Sequence, residues 1–367
     1  MEIKGLNSWG EGFDRPMIIA GPCSAETEDQ LYATAKALSK SGVKIIRAGV
    51  WKPRTRPNNF EGMGLDALKW IRDIKQELNV KFAVEVGNPQ HVQEALYHKI
   101  DILWIGARST VNPFTVQEIA DSLKGVDIPV LIKNPINPDP SLWIGAVERV
   151  YQTGITKIGA IHRGFSTFNK TRFRNPPQWK IPIDLKKTFP DIPLLCDPSH
   201  IAGDRNMIFD ISQKAADLDF DGLMIEVHPD PDKAWSDAKQ QVTPKQFTDI
   251  LSRIKFRDPT SENKEFISHL EELREKIDHL DQELYEVLSE RMKLVDQIGY
   301  FKRDNNVTVF QKNRWKEISE SRGAWAKSLG LNVEFMDELF KMIHQASIRR
   351  QEVIMNREES EEEVSDE

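Results

Sequence analysis

Residues 17–26 read MIIAGPCSAE, an apolar run that ends in a Gly-Pro turn and is followed at once by a cysteine. The apolar part is short and rich in isoleucine, as is typical of a buried β-strand. Cys23 therefore stands just beyond the end of the predicted strand. The same pattern of a short apolar run followed by a chemically reactive side chain recurs along the chain.

Seven further apolar runs follow, with start positions at Lys44, Phe82, Ile102, Val130, Lys157, Leu194 and Gly222. Consecutive runs start 20 to 38 residues apart, which is the length of a strand plus a crossover helix. Eight such units predict an α/β fold in which a closed (β/α)8 TIM barrel occupies about the first 255 residues. An open, doubly wound sheet is the structural alternative.

Each run ends near residues that are unusual in a core. These are Cys23, Arg47, Glu85, Arg108, Lys133, His162 with Arg163, Asp197 with His200, and Glu226 with His228. A single one of them has a simple structural interpretation, such as a surface charge or a hydrogen-bonded histidine. Barrel enzymes place their chemistry at the carboxyl ends of the strands, so the whole set is expected to meet at one mouth.

The strand-end residues fall into two groups by charge. The cationic group is suited to binding phosphate, because guanidinium and ammonium groups donate strong hydrogen bonds to phosphate oxygens. It comprises Arg47, Lys52, Arg54, Arg108, Lys133 and Arg163. The second group offers a thiolate, an imidazole and two carboxylates, namely Cys23, His200, Glu226 and Asp237. Such a mixed donor set favours a first-row divalent metal ion over calcium or magnesium.

Composition restricts the cellular setting. The formal net charge is −7, but residues 357–367 contribute −6 of it, so the rest of the chain is nearly neutral. The chain has two cysteines, no long apolar stretch and no strongly basic segment. We therefore expect a cytoplasmic protein that binds neither nucleic acid nor membrane, with an acidic, disordered tail at 356–367.

Eight short motifs give the barrel segment a family resemblance. They are GPCSAE, RAGVWKPRTRP, IGAR, IKNP, IHRGF, DPSH, IEVHPDP and SDAKQQ, in this order between about Met17 and Arg253. The segment resembles the type Iβ 3-deoxy-D-arabino-heptulosonate 7-phosphate (DAHP) synthases. This resemblance implies condensation of phosphoenolpyruvate with erythrose 4-phosphate, release of phosphate, and a divalent transition metal such as Mn²⁺.

The resemblance also implies individual roles for the strand-end residues. Cys23, His200, Glu226 and Asp237 would be the metal ligands. The phosphate and carboxylate of phosphoenolpyruvate would be held by Arg47, Lys52, Arg108, Lys133 and Arg163. Arg54 and Thr55 would hold the phosphate of erythrose 4-phosphate, and Asp197 one of its hydroxyls. Lys52 would be catalytic, by protonating the aldehyde oxygen.

A sister synthase that uses arabinose 5-phosphate is the nearest alternative. It shares the barrel and the phosphoenolpyruvate pocket. It carries a Lys-Ala-Asn-Arg type of segment where this chain has KPRT at 52–55. The sequence therefore favours erythrose 4-phosphate as the second substrate.

The composition and the spacing of apolar residues change after the barrel segment. A polar linker at 256–264 precedes a charged segment in which leucine, isoleucine and valine alternate three and four residues apart, from Leu270 to Ile298. This periodicity predicts one helix of about forty residues, some 60 Å long, that packs against other helices. We therefore predict a small all-α domain at 265–355, with further helices at 312–328 and 334–353.

Polar residues interrupt the apolar seam of this domain. Arg291 occupies a seam position, and Lys302 returns to within about 20° of the same helix face. Ser347 and Gln351 share a face of the last helix. These residues have two interpretations. They are solvated side chains or polar residues that fix the register of the helices, or they form a binding site.

The segment LREKIDHLDQELYEVLSERMKLVDQIGYFK resembles the first helix of the all-helical chorismate mutases. This resemblance covers about 266–351 and implies rearrangement of chorismate to prephenate in an intertwined homodimer, without a cofactor. It implies the chorismate contacts Arg274, Arg291, Lys302, Arg314, Ser347 and Gln351, of which Lys302 and Gln351 would be catalytic. The chain departs from the family pattern at Gln311, where aspartate is common, and at Trp315, where glutamate is usual.

Two further expectations concern the role of the helical domain. It is either a mutase or a module that only dimerises or senses chorismate or prephenate. The first strand begins at Met17, so little sequence precedes the barrel, and the helical domain is the candidate sensor. We expect prephenate bound there to inhibit the barrel by favouring a docked or closed arrangement.

Overall fold

The computed structural model describes residues 1–52, 60–258, 260–311 and 323–356. The chain separates into two compact units, Met1–Pro259 and Thr260–Glu367. Four residues singled out by the sequence, Arg54, Thr55, Arg314 and Trp315, lie outside the described residues, as does the acidic tail from 357 onwards.

Eight parallel strands form the first unit. They are β1 (Met17–Gly21), β2 (Ile45–Ala48), β3 (Lys81–Val86), β4 (Ile102–Ile105), β5 (Val130–Lys133), β6 (Ile158–His162), β7 (Leu194–Cys196) and β8 (Gly222–Glu226). Each strand pairs with the next, and β8 pairs with β1, which closes the barrel. The predicted (β/α)8 barrel is confirmed, and the open sheet is excluded.

Helices connect the strands on the outside. They are α1 (Glu28–Lys40), α2 (Leu65–Leu78), α3 (Pro89–Tyr97), α4 (Ala107–Thr110), α5 (Pro113–Asp121), α6 (Pro140–Gln152), α7 (Lys180–Thr188), α8 (Pro198–Ala202), α9 (Ile208–Asp217) and α10 (Pro244–Arg253). Several begin at a side-chain cap followed by proline, as at Asn88, Asn112 and Asp139, whose side chains accept backbone N–H groups of the first turn.

Strand residues alternate between two apolar layers. Ile19, Ile45 and Leu131 point into the barrel, where Trp9 and Phe13 of the N-terminal segment join them in one cluster. Their neighbours Ala20, Ile46 and Ile132 instead pack in the larger cluster shared with the helices. The interior is thus a packed core, which leaves the carboxyl ends of the strands for polar chemistry.

The second unit consists of helices. Helix α11 (Lys264–Asp304) and helix α12 (Val333–Met355) pack against each other, and residues 323–328 are also helical. Asn263 and Asn332 cap the two long helices by accepting the backbone N–H groups of Phe266 and Phe335. The predicted all-α character of the region after the barrel is confirmed, while most of the helix predicted at 312–328 lies outside the described residues.

A membrane-spanning helix was not expected from the sequence. Among the residues that the structure describes, no helix is both long and apolar enough to cross a bilayer.

Candidate active sites

A thiol and two carboxylates meet at the barrel mouth. Cys23 follows β1 and Glu226 ends β8, the two strands that close the barrel, while Asp237 lies in the loop before α10. One ligand atom of each lies within 4.8 Å of the other two, and Cys23 Sγ is 3.5 Å from Asp237 Oδ2. The sequence predicted these three as metal ligands, and the structure brings them together.

His200, the fourth predicted ligand, lies beside this cluster. Its Nε2 is 3.8 Å from Glu226 Oε1, and its Nδ1 is 2.8 Å from Asp197 Oδ2. Asp197 caps α8 by accepting the backbone N–H of His200, which fixes the position of the histidine after β7. A carboxylate on one ring nitrogen leaves the other nitrogen as the one that can bind a metal.

Burial and charge set the protonation of these groups. Burial and the Glu226 carboxylate raise the pKa of the Cys23 thiol to about 12, although Lys52 lowers it. Burial lowers the pKa of His200, more than Asp197 and Glu226 raise it, so the imidazole is neutral near pH 7. Burial raises the pKa of Asp237, but His200 and Arg174 outweigh this effect and keep the carboxylate ionised.

The donor set fits a divalent metal ion. A buried carboxylate oxygen normally has hydrogen-bond donors. Arg47 Nη2 lies 3.0 Å from Glu226 Oε1, yet no donor among the described residues meets that oxygen in hydrogen-bond geometry. An acceptor without a donor, a thiol, a second carboxylate and a neutral imidazole in one place are the combination expected for a first-row divalent ion.

Cationic side chains surround the cluster. Lys133, at the end of β5, contacts Asp197 at 2.8 Å, and Arg47 of β2 contacts Glu226. Both are buried, and both lie over the ring of Trp104, with the Arg47 guanidinium 5.3 Å and the Lys133 ammonium 5.7 Å from the ring centroid. Two buried cations over one aromatic ring are groups of the kind that bind anions.

Arg163 adds a third cation to this mouth. Its Nη1 donates to Asn175 Oδ1 at 2.9 Å. Burial, together with the neighbouring cations Arg174 and Arg108, lowers the pKa of Arg163 to about 10, although Asp197 raises it. Arg108, on the short helix α4, is more exposed. Mutual repulsion between these guanidinium groups is relieved when an anion binds among them.

Lys52 connects the cationic and metal-binding groups. Its ammonium donates to the Cys23 carbonyl oxygen at 2.9 Å and to Cys23 Sγ at 3.0 Å. The structure therefore places Lys52 beside the cluster of Cys23, Glu226 and Asp237, called the metal-type cluster below. The resemblance had implied that Lys52 lies between the two substrates. The next residues along the chain, including Arg54 and Thr55, fall outside the described residues.

A second polar site lies between the two long helices. Arg291 Nη1 donates to Ser347 Oγ at 2.7 Å, and Lys302 Nζ donates to Gln351 Oε1 at 3.1 Å. Ser347 and Gln351 are 3% and 7% exposed, so they belong to the interface of the helices. The sequence predicted that Arg291 and Lys302 share one helix face and that Ser347 and Gln351 share another. In the structure, residues of the first face donate hydrogen bonds to residues of the second.

The other two predicted chorismate contacts are Arg274 and Arg314. Arg274 is on the exposed part of α11, seventeen residues before Arg291. The described residues show no contact between it and the four paired residues. Gln311 is exposed, and Arg314 is outside the described residues.

Comparison with known proteins identifies both units. The model of the DAHP synthetase I family matches residues 6–258. The chain belongs to the DAHP synthetase I family. The chorismate mutase type II model matches residues 273–352. The two matches indicate a bifunctional enzyme, with a synthase barrel followed by a mutase domain.

Individual relatives support the DAHP synthetase I assignment. Phospho-2-dehydro-3-deoxyheptonate aldolase of Thermotoga maritima is 35% identical over 239 residues, which are 65% of this chain and 68% of that protein. A crystal structure of the Thermotoga enzyme has a TM-score of 0.59 at 32% identity and covers 64% of this chain and 67% of that one. A 2-dehydro-3-deoxyphosphooctonate aldolase of Desulfotalea psychrophila is more distant, at 25% identity over 65% of this chain and 88% of that protein.

Sequence reasoning missed Arg174 in the DAHP synthetase I barrel. Its Nη1 donates to Asp237 Oδ1 at 3.0 Å and to Gln240 Oε1 at 2.6 Å, and Gln240 in turn donates to Glu226 Oε2 at 2.6 Å. Arg174 lies twelve residues beyond the end of β6, so a search of the strand ends does not find it.

His162 was expected among the residues of the mouth but belongs to the core. Its ring packs among aromatic side chains of the outer layer, namely Trp143, Phe165, Trp179 and Phe220. Burial, followed by the charge of Arg163, lowers the pKa of His162 to about 3, so the imidazole is neutral. Its position at the end of β6 turns it outward, while the next residue, Arg163, joins the cations.

Proposed function

We propose that the barrel condenses phosphoenolpyruvate with erythrose 4-phosphate and one water molecule to give DAHP and phosphate. The observation that carries the proposal is the convergence of Arg47, Lys133 and Arg163 beside a thiol and carboxylate cluster at one mouth. Two anionic substrates repel each other in solution. A preorganised cationic mouth offsets this repulsion and aligns the substrates for bond formation.

Each group has a role in this proposal. Phosphoenolpyruvate is held by the cations Arg47, Lys52, Arg108, Lys133 and Arg163. Arg54 and Thr55 hold the phosphate of erythrose 4-phosphate, and Asp197 accepts a hydrogen bond from one hydroxyl of that sugar. Lys52, whose ammonium lies beside Cys23, donates a proton to the aldehyde oxygen as the new bond forms.

The metal would be held by Cys23, His200, Glu226 and Asp237. When bound, a divalent ion such as Mn²⁺ supplies Lewis-acid polarisation of the aldehyde. The cysteine must lose its proton to serve as a ligand, and the neighbouring Lys52 ammonium favours the thiolate. Both cysteines are free and buried, which fits our proposal of a reducing, cytoplasmic location.

Sugar preference tests the synthase proposal. We expect phosphate release from phosphoenolpyruvate with erythrose 4-phosphate, and a much lower kcat/KM with arabinose 5-phosphate, because residues 52–55 read KPRT. Steady-state rates with each sugar measure this difference. A higher kcat/KM with arabinose 5-phosphate would assign the chain to the sister reaction instead.

For the helical unit we propose the rearrangement of chorismate to prephenate. The pairs Arg291–Ser347 and Lys302–Gln351 carry this proposal, because they place a guanidinium and an ammonium within one interface between helices. Arg274, Arg291 and Arg314 bind the carboxylates of chorismate and hold the substrate in a compact conformation. Lys302 and Gln351 donate to the ether oxygen while its bond breaks.

Gln351→Leu is expected to lower the kcat for chorismate by about 10²- to 10³-fold, because it removes a donor to the developing negative charge. Gln345→Leu is the matched control, since Gln345 lies on the same helix α12 but is exposed. The disappearance of chorismate is followed in the full-length chain. Binding of chorismate without any turnover by the wild-type chain would instead support a module that only dimerises or senses.

An exposed apolar stripe on α11 supports a homodimer through the helical unit. Its residues are between 43% and 65% exposed and are Leu273, Ile277, Leu280, Leu284, Val287, Leu294 and Ile298. Apart from the gap between Val287 and Leu294, where Arg291 occupies the seam, they recur three and four residues apart over more than three heptads, which is typical of a face that packs on another helix. A second copy of the chain, paired along this stripe, would bury it.

Feedback control is the last part of the proposal. Prephenate bound at the helical site is expected to lower the rate of condensation at least about fivefold, the lower end of typical allosteric coupling. Arg291→Ala removes a carboxylate contact and should make condensation insensitive to prephenate. Initial rates of condensation with and without saturating prephenate measure the effect. Identical rates in the wild-type chain would rule out this regulation.

A further inference from the structure

One buried carboxylate at the barrel mouth belongs neither to the metal-type cluster nor to the cation pairs. Glu26 lies three residues after Cys23, in the loop before α1, and is 4% exposed. Its Oε1 accepts the backbone N–H of Trp235 at 2.8 Å and the hydroxyl of Ser24 at 3.2 Å. Its carboxylate therefore joins the loop after β1 to the loop after β8.

His228 completes the surroundings of Glu26. The Nδ1 of His228 accepts the backbone N–H of Asp230 at 3.0 Å, so the ring proton is on Nε2 when the histidine is neutral. That Nε2 lies 3.4 Å from Glu26 Oε2. Glu26 Oε1 thus accepts two hydrogen bonds, while Oε2 faces the His228 ring without a hydrogen bond among the described residues.

Further hydrogen bonds join the same two loops. The hydroxyls of Ser24 and Ser236 are 2.6 Å apart. Gln241 accepts the backbone N–H of Cys23 at 3.0 Å through its Oε1, and its Nε2 donates to the Ser236 carbonyl at 2.9 Å. Glu26 contributes to this network a buried side-chain oxygen that accepts hydrogen bonds from both loops.

The loop that Glu26 holds carries Asp237 in an unusual conformation. Asp237 has a φ of 48°, in the left-handed region that non-glycine residues adopt seldom, aspartate and asparagine more often than most. Contacts that hold the loop on either side of the residue stabilise such a conformation. The N–H that Glu26 binds is two residues before Asp237, so this contact is well placed to enforce the conformation.

We propose that Glu26 is a positioning residue that sets the metal affinity of the barrel without being a ligand. It anchors the loop after β8 so that the Asp237 carboxylate stays beside the Cys23 thiol. This inference rests on the proposed metal site formed by Cys23, His200, Glu226 and Asp237. Outer-shell partners of this kind typically change metal affinity by 10- to 100-fold when they are removed.

Two conservative variants separate the geometry of Glu26 from its charge. Glu26→Gln keeps an oxygen at the same reach but loses the charge, and we expect the Kd for Mn²⁺ to stay within about threefold of wild type. Glu26→Asp keeps the charge but withdraws the carboxylate by about 1.5 Å, one carbon–carbon bond. We expect it to raise the Kd by 10- to 100-fold.

The measurement is a titration of the full-length, metal-stripped chain with Mn²⁺ alone, with free Mn²⁺ quantified by electron paramagnetic resonance. Glu28→Gln is the control for long-range charge, because Glu28 is exposed and two residues away. A double-mutant cycle with Asp237→Asn adds a specific test. In that background Glu26→Asp should cost little further affinity, because the ligand that it positions has been changed.

The outcomes separate the inference from the proposed function. Wild-type chain that binds no Mn²⁺ would contradict the proposed metal site itself. Wild-type binding combined with unchanged affinity in Glu26→Asp would overturn the positioning role alone. A larger loss in Glu26→Gln than in Glu26→Asp would also overturn it, because charge would then be the cause.

Discussion

Chains with Arg274→Ala and chains with Arg291→Ala, each inactive towards chorismate on its own, are expected to regain mutase activity when they form mixed dimers. The two arginines are seventeen residues apart on one continuous helix, α11. At about 100° and 1.5 Å per residue they are separated by about 100° around the helix and about 25 Å along it. One small substrate cannot contact both in a single chain.

If both arginines bind chorismate, Arg274 must come from the partner in a two-fold dimer with two shared sites. A mixed dimer then has one site with both arginines and one site with neither. With random exchange half of the dimers are mixed, so activity should reach about a quarter of wild type. Co-expression or refolding provides verified exchange, and chorismate turnover measures the recovery.

A matched pair of variants controls the mixing experiment. Arg291 and Lys302 lie on the same α11 and contact Ser347 and Gln351 of the same chain. Mixed dimers of Arg291→Ala with Lys302→Ala should therefore stay inactive, since each site lacks one group. Recovery in this pair, or no recovery in verified dimers of the first pair, would contradict the shared site.

Cys23→Ala is expected to abolish condensation and to leave chorismate turnover unchanged. The thiol lies 3.5 Å from Asp237 Oδ2 within the metal-type cluster. Its loss should remove the metal and, with it, the stabilisation of the developing alkoxide, so the rate should fall by at least about 10²- to 10³-fold. The helical site contains none of the proposed metal ligands and should be unaffected.

Cys196→Ala is the control for the loss of a thiol. Cys196 is also free and buried, but it lies in β7 and packs in the apolar layer outside the barrel. Condensation and Mn²⁺ binding should both persist in this variant. Cys23→Ala with unchanged Mn²⁺ affinity would show that the thiol is not a ligand.

Much of the barrel site was predictable because strand ends have fixed positions in this fold. An apolar run that ends at Lys133 or Glu226 places that side chain at the carboxyl edge of a parallel strand, whatever the loops do. Helical arithmetic likewise brought Arg291 and Lys302 to one face. These are local rules, and the sequence is sufficient to apply them.

The parts that the sequence did not reveal depend on contacts between distant loops. Arg174 reaches Asp237 from a connection between β6 and α7, and Glu26 reaches the Trp235 N–H from the opposite end of the barrel sequence. Periodicity carries no information about such contacts. The same holds for the closeness of α11 and α12 at Gly299, where an added Cβ would lie 3.1 Å from Ile354 Cδ1.

The most direct test of one metal-dependent and one metal-independent reaction in the same chain is an assay of both on one purified sample, before and after exhaustive removal of metal with a chelator. The account predicts loss of DAHP formation, its return on addition of Mn²⁺, and unchanged conversion of chorismate to prephenate throughout. Undiminished condensation by the fully stripped protein would contradict the metal site. Absence of chorismate conversion in the untreated sample would contradict the mutase.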